Sequence, residues 1–336
     1  MRRREKLAGG KIAAVSSLRI AVVGAGGVGG YFGGRLAAAG AHVSFVARGA
    51  HLDALRARGL TIRSFKGDLN LPHVHATDDP AAIGPVDIVL FTVKLYDAEA
   101  GAHLLIPLVG ADTAVIPLQN GVDGVDIVAR AVGRSHTAGG TVYVAAVVDE
   151  PGVIRHSALD HLIFGELDGT RTPRLERLFN VCRPASFQTT LSDNVQVDIW
   201  TKFVRLSVFS GMTAVTRCPI GPIVADPELF EMVKAAARET MAVARAKGVA
   251  VPDTVIDDVD QAYRALPKHM KSSMLEDLER GRRLELPWLS GAVVRLGREV
   301  GIDTPTHRFI AAVLNPHVNG SPTQAEHVKE SAPIQP

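Results

Sequence analysis

Leu18-Arg19-Ile20-Ala21-Val22-Val23, followed at once by Gly24-Ala25-Gly26-Gly27-Val28-Gly29, is the stretch that decides the fold of this 336-residue chain. The first six residues read as a buried strand, the next six fit G-x-G-x-x-G, and a helix is predicted near Val28–Ala39. Each glycine has its own task. Gly24 permits the tight turn, Gly26 lets the backbone approach a pyrophosphate, and Gly29 allows the helix to pack closely on the strand. The helix start then turns its free N–H groups and the positive end of its dipole toward the anion. Six residues alone would be weak evidence; the flanking strand and helix make Gly24–Gly29, with Ala25, Gly27 and Val28 included, a dinucleotide cradle.

Outward from this turn, short apolar runs alternate with helical stretches. Strands are predicted at His42–Val46, within the apolar run Asp87–Val93, and at Thr113–Leu118, with helices around His51–Arg58 and Asp123–Ala131. Such alternation indicates βαβ units and a parallel sheet. From Thr137 to Gly165 the pattern turns β-rich, and Thr141–Val148 and His161–Phe164 are expected to complete that sheet. Beyond about Leu191 only helical patterns remain: Val195–Ser210, a long helix opened by Asp226-Pro227-Glu228 and closed by Gly248, then Val255–Ala265, Ser273–Arg280, Pro287–Val300 and Pro305–Leu314. Asp226 suits the cap, Pro227 the first turn and Gly248 a left-handed exit. The expected architecture is α/β: a disordered leader over residues 1–17, a Rossmann-type dinucleotide-binding domain over 18–190, an all-α domain over 191–314 and a disordered tail from 315.

Composition narrows the function classes. Hydrophobic residues at 46% and charged residues at 21% give a globular balance with material for a core. The net charge of +2 is misleading as a sign of nucleic-acid binding. Five cations against one anion in residues 1–17 put +4 there, so the rest of the chain sums to −2 and no basic face is implied. No apolar run of about 18 residues offers a membrane span, and the leader is a poor signal peptide, broken at Gly9, Gly10 and Lys11. The two cysteines, Cys182 and Cys218, stand far apart without metal-ligand spacing, which suits two small packed side chains in a reducing cytoplasm. A small-molecule substrate, no metal and a monomer or homodimer are expected.

An acidic residue about 20 positions after the glycines would bind the ribose hydroxyls of NAD. Here the second strand ends in Ala47-Arg48-Gly49 with no carboxylate, and Arg48 suits the additional phosphate of NADP(H). Thr92-Val93-Lys94 and Gln119-Asn120-Gly121 close two further strands, at the sheet edge where ligands of open α/β folds bind. Ketone reduction also needs a proton donor where an alkoxide develops. None of the twelve histidines sits in an evident constellation; His73, His75, His156, His161, His307 and His317 are expected to be structural or exposed. Lys202, in Trp200-Thr201-Lys202-Phe203, is the sharper candidate, because a lysine within an apolar helix is costly unless it is paired, used, or snorkelling to solvent.

These motifs, with Ser272-Ser273-Met274-Leu275-Glu276-Asp277 and Gly281-Arg282-Arg283-Leu284-Glu285-Leu286, follow one another in the order seen in ketopantoate reductases, the 2-dehydropantoate 2-reductases of pantothenate biosynthesis. The chain resembles that family from about Leu18 to Leu314. The resemblance implies that Gly24–Gly29, Arg48 and Lys94 hold NADP(H), that Asn120 touches cofactor and substrate, and that Lys202 binds the substrate and protonates the alkoxide. It implies further that Glu285 positions the lysine and contacts the cofactor, and that Ser210, Ser272 and Ser273 contribute to the substrate pocket. Ser272-Ser273 reads equally as a helix cap. Four asparagines of the family pattern are replaced, by Leu206 and Ser210 after the lysine, by Ile220 beside Cys218-Pro219, and by Ser290 before Gly291. Without those amides the site discriminates less for a substrate hydroxyl and suits a more apolar acyl chain. The expected activity is therefore NADPH-dependent reduction of a small 2-oxo acid. The alternatives are a reductase of a less hydroxylated 2-oxo acid or ketone, and a non-catalytic NADP(H)-binding sensor.

Overall fold

The computed structural model describes residues 18–322. The expected leader, residues 1–17, lies outside the described residues, as do residues 323–336. The strands are β1 (Arg19–Val23), β2 (His42–Val46), β3 (Leu60–Ser64), β4 (Leu69–Leu71), β5 (His75–Thr77), β6 (Val86–Phe91), β7 (Val109–Pro117), β8 (Gly139–Glu150), β9 (Val153–Gly165) and β10 (Gln188–Leu191). The helices are α1 (Gly27–Ala38), α2 (Gly49–Arg58), α3 (Leu95–Gly101), α4 (Gly124–Val132), α5 (Pro173–Cys182) and α6 (Val195–Thr216), then α7 (Ile220–Ala225), α8 (Pro227–Ala246), α9 (Val255–Ala265), α10 (Ser273–Glu279), α11 (Ser290–Val300) and α12 (Pro305–Leu314).

The Rossmann-like sheet has the order β5-β2-β1-β6-β7, and all its pairings are parallel. Both faces are covered, so the central strand β1 carries no polar side chain between Ile20 and Val23. The strand alternation divides the core in two. Ile20, Val22, Ile88 and Leu90 pack toward α1, while Ala21, Val23, Val89 and Phe91 pack toward Leu95, Leu105 and Ile127 on the other face.

The β-rich stretch does not complete this sheet, contrary to expectation. β8 and β9 form an antiparallel hairpin in a second sheet, ordered β10-β9-β3-β4, and β9 pairs in parallel with β3 at its start and with β10 at its end. The physical reason lies in α1, which is bare on two sides. A Cβ on Gly33 would stand 2.7 Å from Phe45 of the first sheet, and one on Gly30 or Gly34 would stand 2.8 Å or 2.7 Å from Ile154 or Ile62 of the second. A helix this thin fits between two sheets, and the β-rich residues cover its outer side.

The helical half contains the predicted helices, but α6 runs on to Thr216 rather than Ser210, α11 begins at Ser290 rather than Pro287, and α7 was not expected. Asp226 accepts hydrogen bonds from the N–H groups of Glu228 and Leu229, Pro227 follows, and Gly248 takes φ +83°. Residues 315–322, read from the sequence as the start of a disordered tail, are described: the Val318 carbonyl accepts from Leu284 N at 3.0 Å, and Val318 packs on the helical core. The halves meet along α6. Its first residue, Val195, is so close to the hairpin that a Cβ on Gly139 would lie 2.5 Å from it. An ion pair from Arg295 of α11 to Asp123, 2.5 Å, adds a second tie.

Inside the helical core, His307 has no exposure. The Ala236 carbonyl, 3.1 Å from its Nε2, can only accept, so Nε2 carries the proton and Nδ1 accepts from the Ser290 hydroxyl at 3.2 Å. Burial lowers the imidazole from 6.5 to about 4, with the Glu239 carboxylate opposing. A depressed histidine contributes stability above its unfolded value, and that contribution is lost as the pH falls through the window from 6.5 to 4. The wild-type stability should therefore drop more steeply between pH 6.5 and 4 than that of His307→Gln, the excess approaching about 3 kcal/mol, with a correspondingly steeper fall in Tm. Parallel Tm curves from thermal melts would contradict this.

Candidate active site

The glycine turn leaves β1 at the edge where parallel strands end. Gly24 takes φ +100°, which only glycine adopts without strain, and its Cβ position lies 2.8 Å from Val93 N. Thr92 ties the turn down from the next strand: its hydroxyl donates to the Gly24 carbonyl at 2.6 Å. At Gly26, by contrast, an added Cβ would meet nothing within 4 Å, so the backbone there borders open space. The first turn of α1 contains no acidic residue. An uncovered backbone beside an uncapped helix start fits the pyrophosphate of a dinucleotide. Gly27 is tight for a reason the motif does not disclose, since its Cβ would stand 2.1 Å from the Ala146 carbonyl of β8.

From β6 and β7, two side chains reach the helical half. Lys94, which precedes α3, extends its Nζ to 3.2 Å from Glu285 Oε2. Asn120 follows β7; its Nδ2 donates to the same Glu285 oxygen at 3.4 Å, and its Oδ1 accepts from Lys202 Nζ at 3.1 Å. Lys202, Asn120, Glu285 and Lys94 thus form one continuous polar chain across the interface. Glu285 reaches Lys202 through Asn120 rather than directly. Gly121 makes the approach possible: it has φ +89°, and its Cβ position is 2.8 Å from the Trp288 carbonyl.

Lys202 does not snorkel. It is 9% exposed, and burial brings its ammonium down to about 8, with the Glu285 carboxylate opposing. The Tyr143 ring, 5.8 Å from Nζ, adds a soft cation–π partner that the sequence did not disclose. Lys94 has the opposite balance. Partial burial disfavours its charge, but Glu285 and Asp277 outweigh this and raise its pKa.

The remaining predicted residues divide. Leu206 and Ser210 lie one and two turns beyond Lys202 on the same stripe of α6; Leu206 is half-buried, and the Ser210 hydroxyl is buried without a hydrogen-bond partner. Ser272 caps α10, accepting from Leu275 N at 3.0 Å and from the Thr213 hydroxyl at 2.7 Å, so its oxygen is engaged within the helical core. Ser273 is exposed at the start of α10. Ile220 and Ser290 are fully buried, Ile220 in the apolar core and Ser290 against His307. Arg48 is exposed at the end of β2, paired with Asp97. A cleft of about 370 Å³ near Trp200, Arg134 and Arg295 contains none of the four polar-chain residues, so the chemistry belongs to the chain rather than to that hollow.

A parallel sheet with a phosphate-binding turn, facing a helical half that carries a buried ammonium, defines a dinucleotide-dependent oxidoreductase of two domains. The chain belongs to the ketopantoate reductase family: the sequence signature of ketopantoate reductase PanE/ApbA matches residues 20–169, and that of its C-terminal part matches residues 194–318. Among its relatives, a 2-dehydropantoate 2-reductase of Mesorhizobium japonicum is 32% identical over 318 residues, spanning 88% of this chain and 97% of that protein. A Bacillus subtilis protein named an uncharacterized oxidoreductase is 28% identical, spanning 88% and 98%. The crystal structure of 2-dehydropantoate 2-reductase from Geobacter metallireducens superposes with a TM-score of 0.83 at 32% identity, covering 89% of this chain and 99% of that one. Among the described residues, no helix is long and apolar enough to cross a membrane.

The contact at Gly121 gives a direct test of how the halves are held. Gly121→Ala adds a Cβ at a positive φ against the Trp288 carbonyl, and should cost about 2 kcal/mol of stability. It should also part Asn120 from Glu285. A melting temperature and turnover equal to wild type would show that the turn is not the spacer described.

Proposed function

We propose that this chain reduces a small 2-oxo acid to the 2-hydroxy acid, using NADPH. One observation carries the reading: a lysine buried in the helical half hydrogen-bonds an asparagine at the sheet edge that faces the dinucleotide turn. A reduced nicotinamide held at that edge would supply the hydride that the carbonyl carbon accepts. Lys202 then passes a proton from Nζ to the carbonyl oxygen as negative charge gathers there. Asn120 aims the ammonium, and Glu285 fixes Asn120 while its carboxylate favours the charged form of the lysine. A pKa of about 8 suits a general acid near neutral pH, because the proton is present yet readily given up. Lys94 balances the charge of Glu285 at the cofactor side. Arg48 supports NADPH as the cofactor, since it is a cation at the end of a strand that carries no acid.

Leu206 favours a particular range of substrates. An isobutyl group one turn from the proton donor presents apolar surface where the family pattern has an amide, which supports a 2-oxo acid less hydroxylated than ketopantoate. A panel of 2-oxo acids assayed by NADPH oxidation decides between them, and a higher kcat/KM for ketopantoate than for unhydroxylated analogues would reject the apolar preference.

The proton donor is tested separately. Lys202→Ala should lower kcat by about 10²–10⁴ while NADPH binding stays within a few-fold of wild type. Wild-type kcat for reduction should hold below pH 8 and fall above it, as the ammonium loses its proton. Persistence of full turnover at pH 9.5, or in the alanine variant, would remove Lys202 from the chemistry.

A further inference from the structure

The sequence places no carboxylate at the end of β2, but the fold brings one there from another element. Asp97, in the first turn of α3, holds the Arg48 guanidinium at 2.7 Å, a contact between residues 49 apart in the chain. Both side chains face solvent, at 83% exposure for Arg48 and 37% for Asp97. They do not stabilise the fold appreciably, since exposed pairs of this kind contribute little. Their location matters more. β2 lies beside β1, and α3 begins just beyond β6, the strand on β1's other side, so the pair spans the glycine turn at the sheet edge where the dinucleotide cradle lies.

We propose that Asp97 is a specificity-determining residue that weakens the preference for NADPH over NADH; this deepens, and rests on, the reading of the site as an NADPH-dependent reductase. Any phosphate that engages Arg48 must approach the carboxylate that already occupies it. A phosphate monoester carries close to two negative charges at neutral pH. Placed roughly 5 Å from a carboxylate in a solvent-exposed site, it is repelled enough to lose about tenfold in affinity. A ribose with a free 2′-hydroxyl brings no such charge and offers a donor that the Asp97 carboxylate accepts, which is the service an acid at the end of β2 gives in NAD-binding folds. Arg48 and Asp97 therefore act as opposed selectors on one contact, the cation favouring the phosphorylated cofactor and the anion the unphosphorylated one.

The experiment is a fluorescence titration of the full chain with NADPH and with NADH, at low and at physiological ionic strength, for the wild type, Asp97→Asn and Arg48→Ala. The same proteins are then compared by kcat/KM with both cofactors. Wild type should bind the two within about tenfold of each other. Asp97→Asn, which keeps the size and removes the charge, should move the ratio about tenfold toward NADPH, less so at higher salt. Arg48→Ala should move it the other way. An unchanged ratio in Asp97→Asn, or a shift toward NADH, would overturn the proposal while leaving the reductase reading intact. Wild-type protein that binds neither dinucleotide would overturn both.

Discussion

The cost of burying the ammonium of Lys202 is the constraint around which the two halves are arranged. A charge with 9% exposure inside an apolar helix is tolerable only with partners, and the helical half alone provides the Glu285 carboxylate but no hydrogen bond. Asn120 comes from the end of β7 and the ring of Tyr143 from β8, both in the other half, while Glu285 reaches the lysine only through Asn120. The surroundings of the lysine are thus complete only where the two halves meet. The compromise shows in the ammonium itself, which is neither neutral nor fully stabilised, and a group in that condition is suited to donating a proton.

The inner strands of the first sheet were legible because they are buried on both faces, whereas the short edge strand β5, half exposed, gave no such signal. Runs such as Val86–Phe91 announce themselves without any need for alternation. The second sheet was not, for the opposite reason. Leu60–Ser64, Leu69–Leu71 and Gln188–Leu191 are short and half polar, and they gain their strand character from pairing with β9 or with each other rather than from local sequence. The long hairpin was recognised as β structure but assigned to the wrong sheet, since nothing in its residues states which face of α1 it covers. That information lies in the glycines of α1, where Gly30 and Gly34 admit Ile154 and Ile62.

The site shows the same division. Lys202 was visible as a cation out of place and Asn120 as a residue at a strand end where ligands bind, whereas Glu285 has an unremarkable local context and entered by family likeness. Asp97 escaped notice because an acid in the first turn of a helix already has an ordinary explanation in the helix dipole. The replaced asparagines illustrate the limit of reading by position. Ser290 turns into the helical core against His307 and Ile220 into its apolar cluster, while Leu206 and Ser210 lie on the stripe of α6 that continues from the lysine.

The contact between Gly121 and the Trp288 carbonyl sets main chain against main chain, with no side chain between them to change rotamer. The spacing of the two halves at that point is thereby fixed. Natural divergence or laboratory redesign has no rotamer to exploit there, and any larger residue at 121 must move one backbone away from the other.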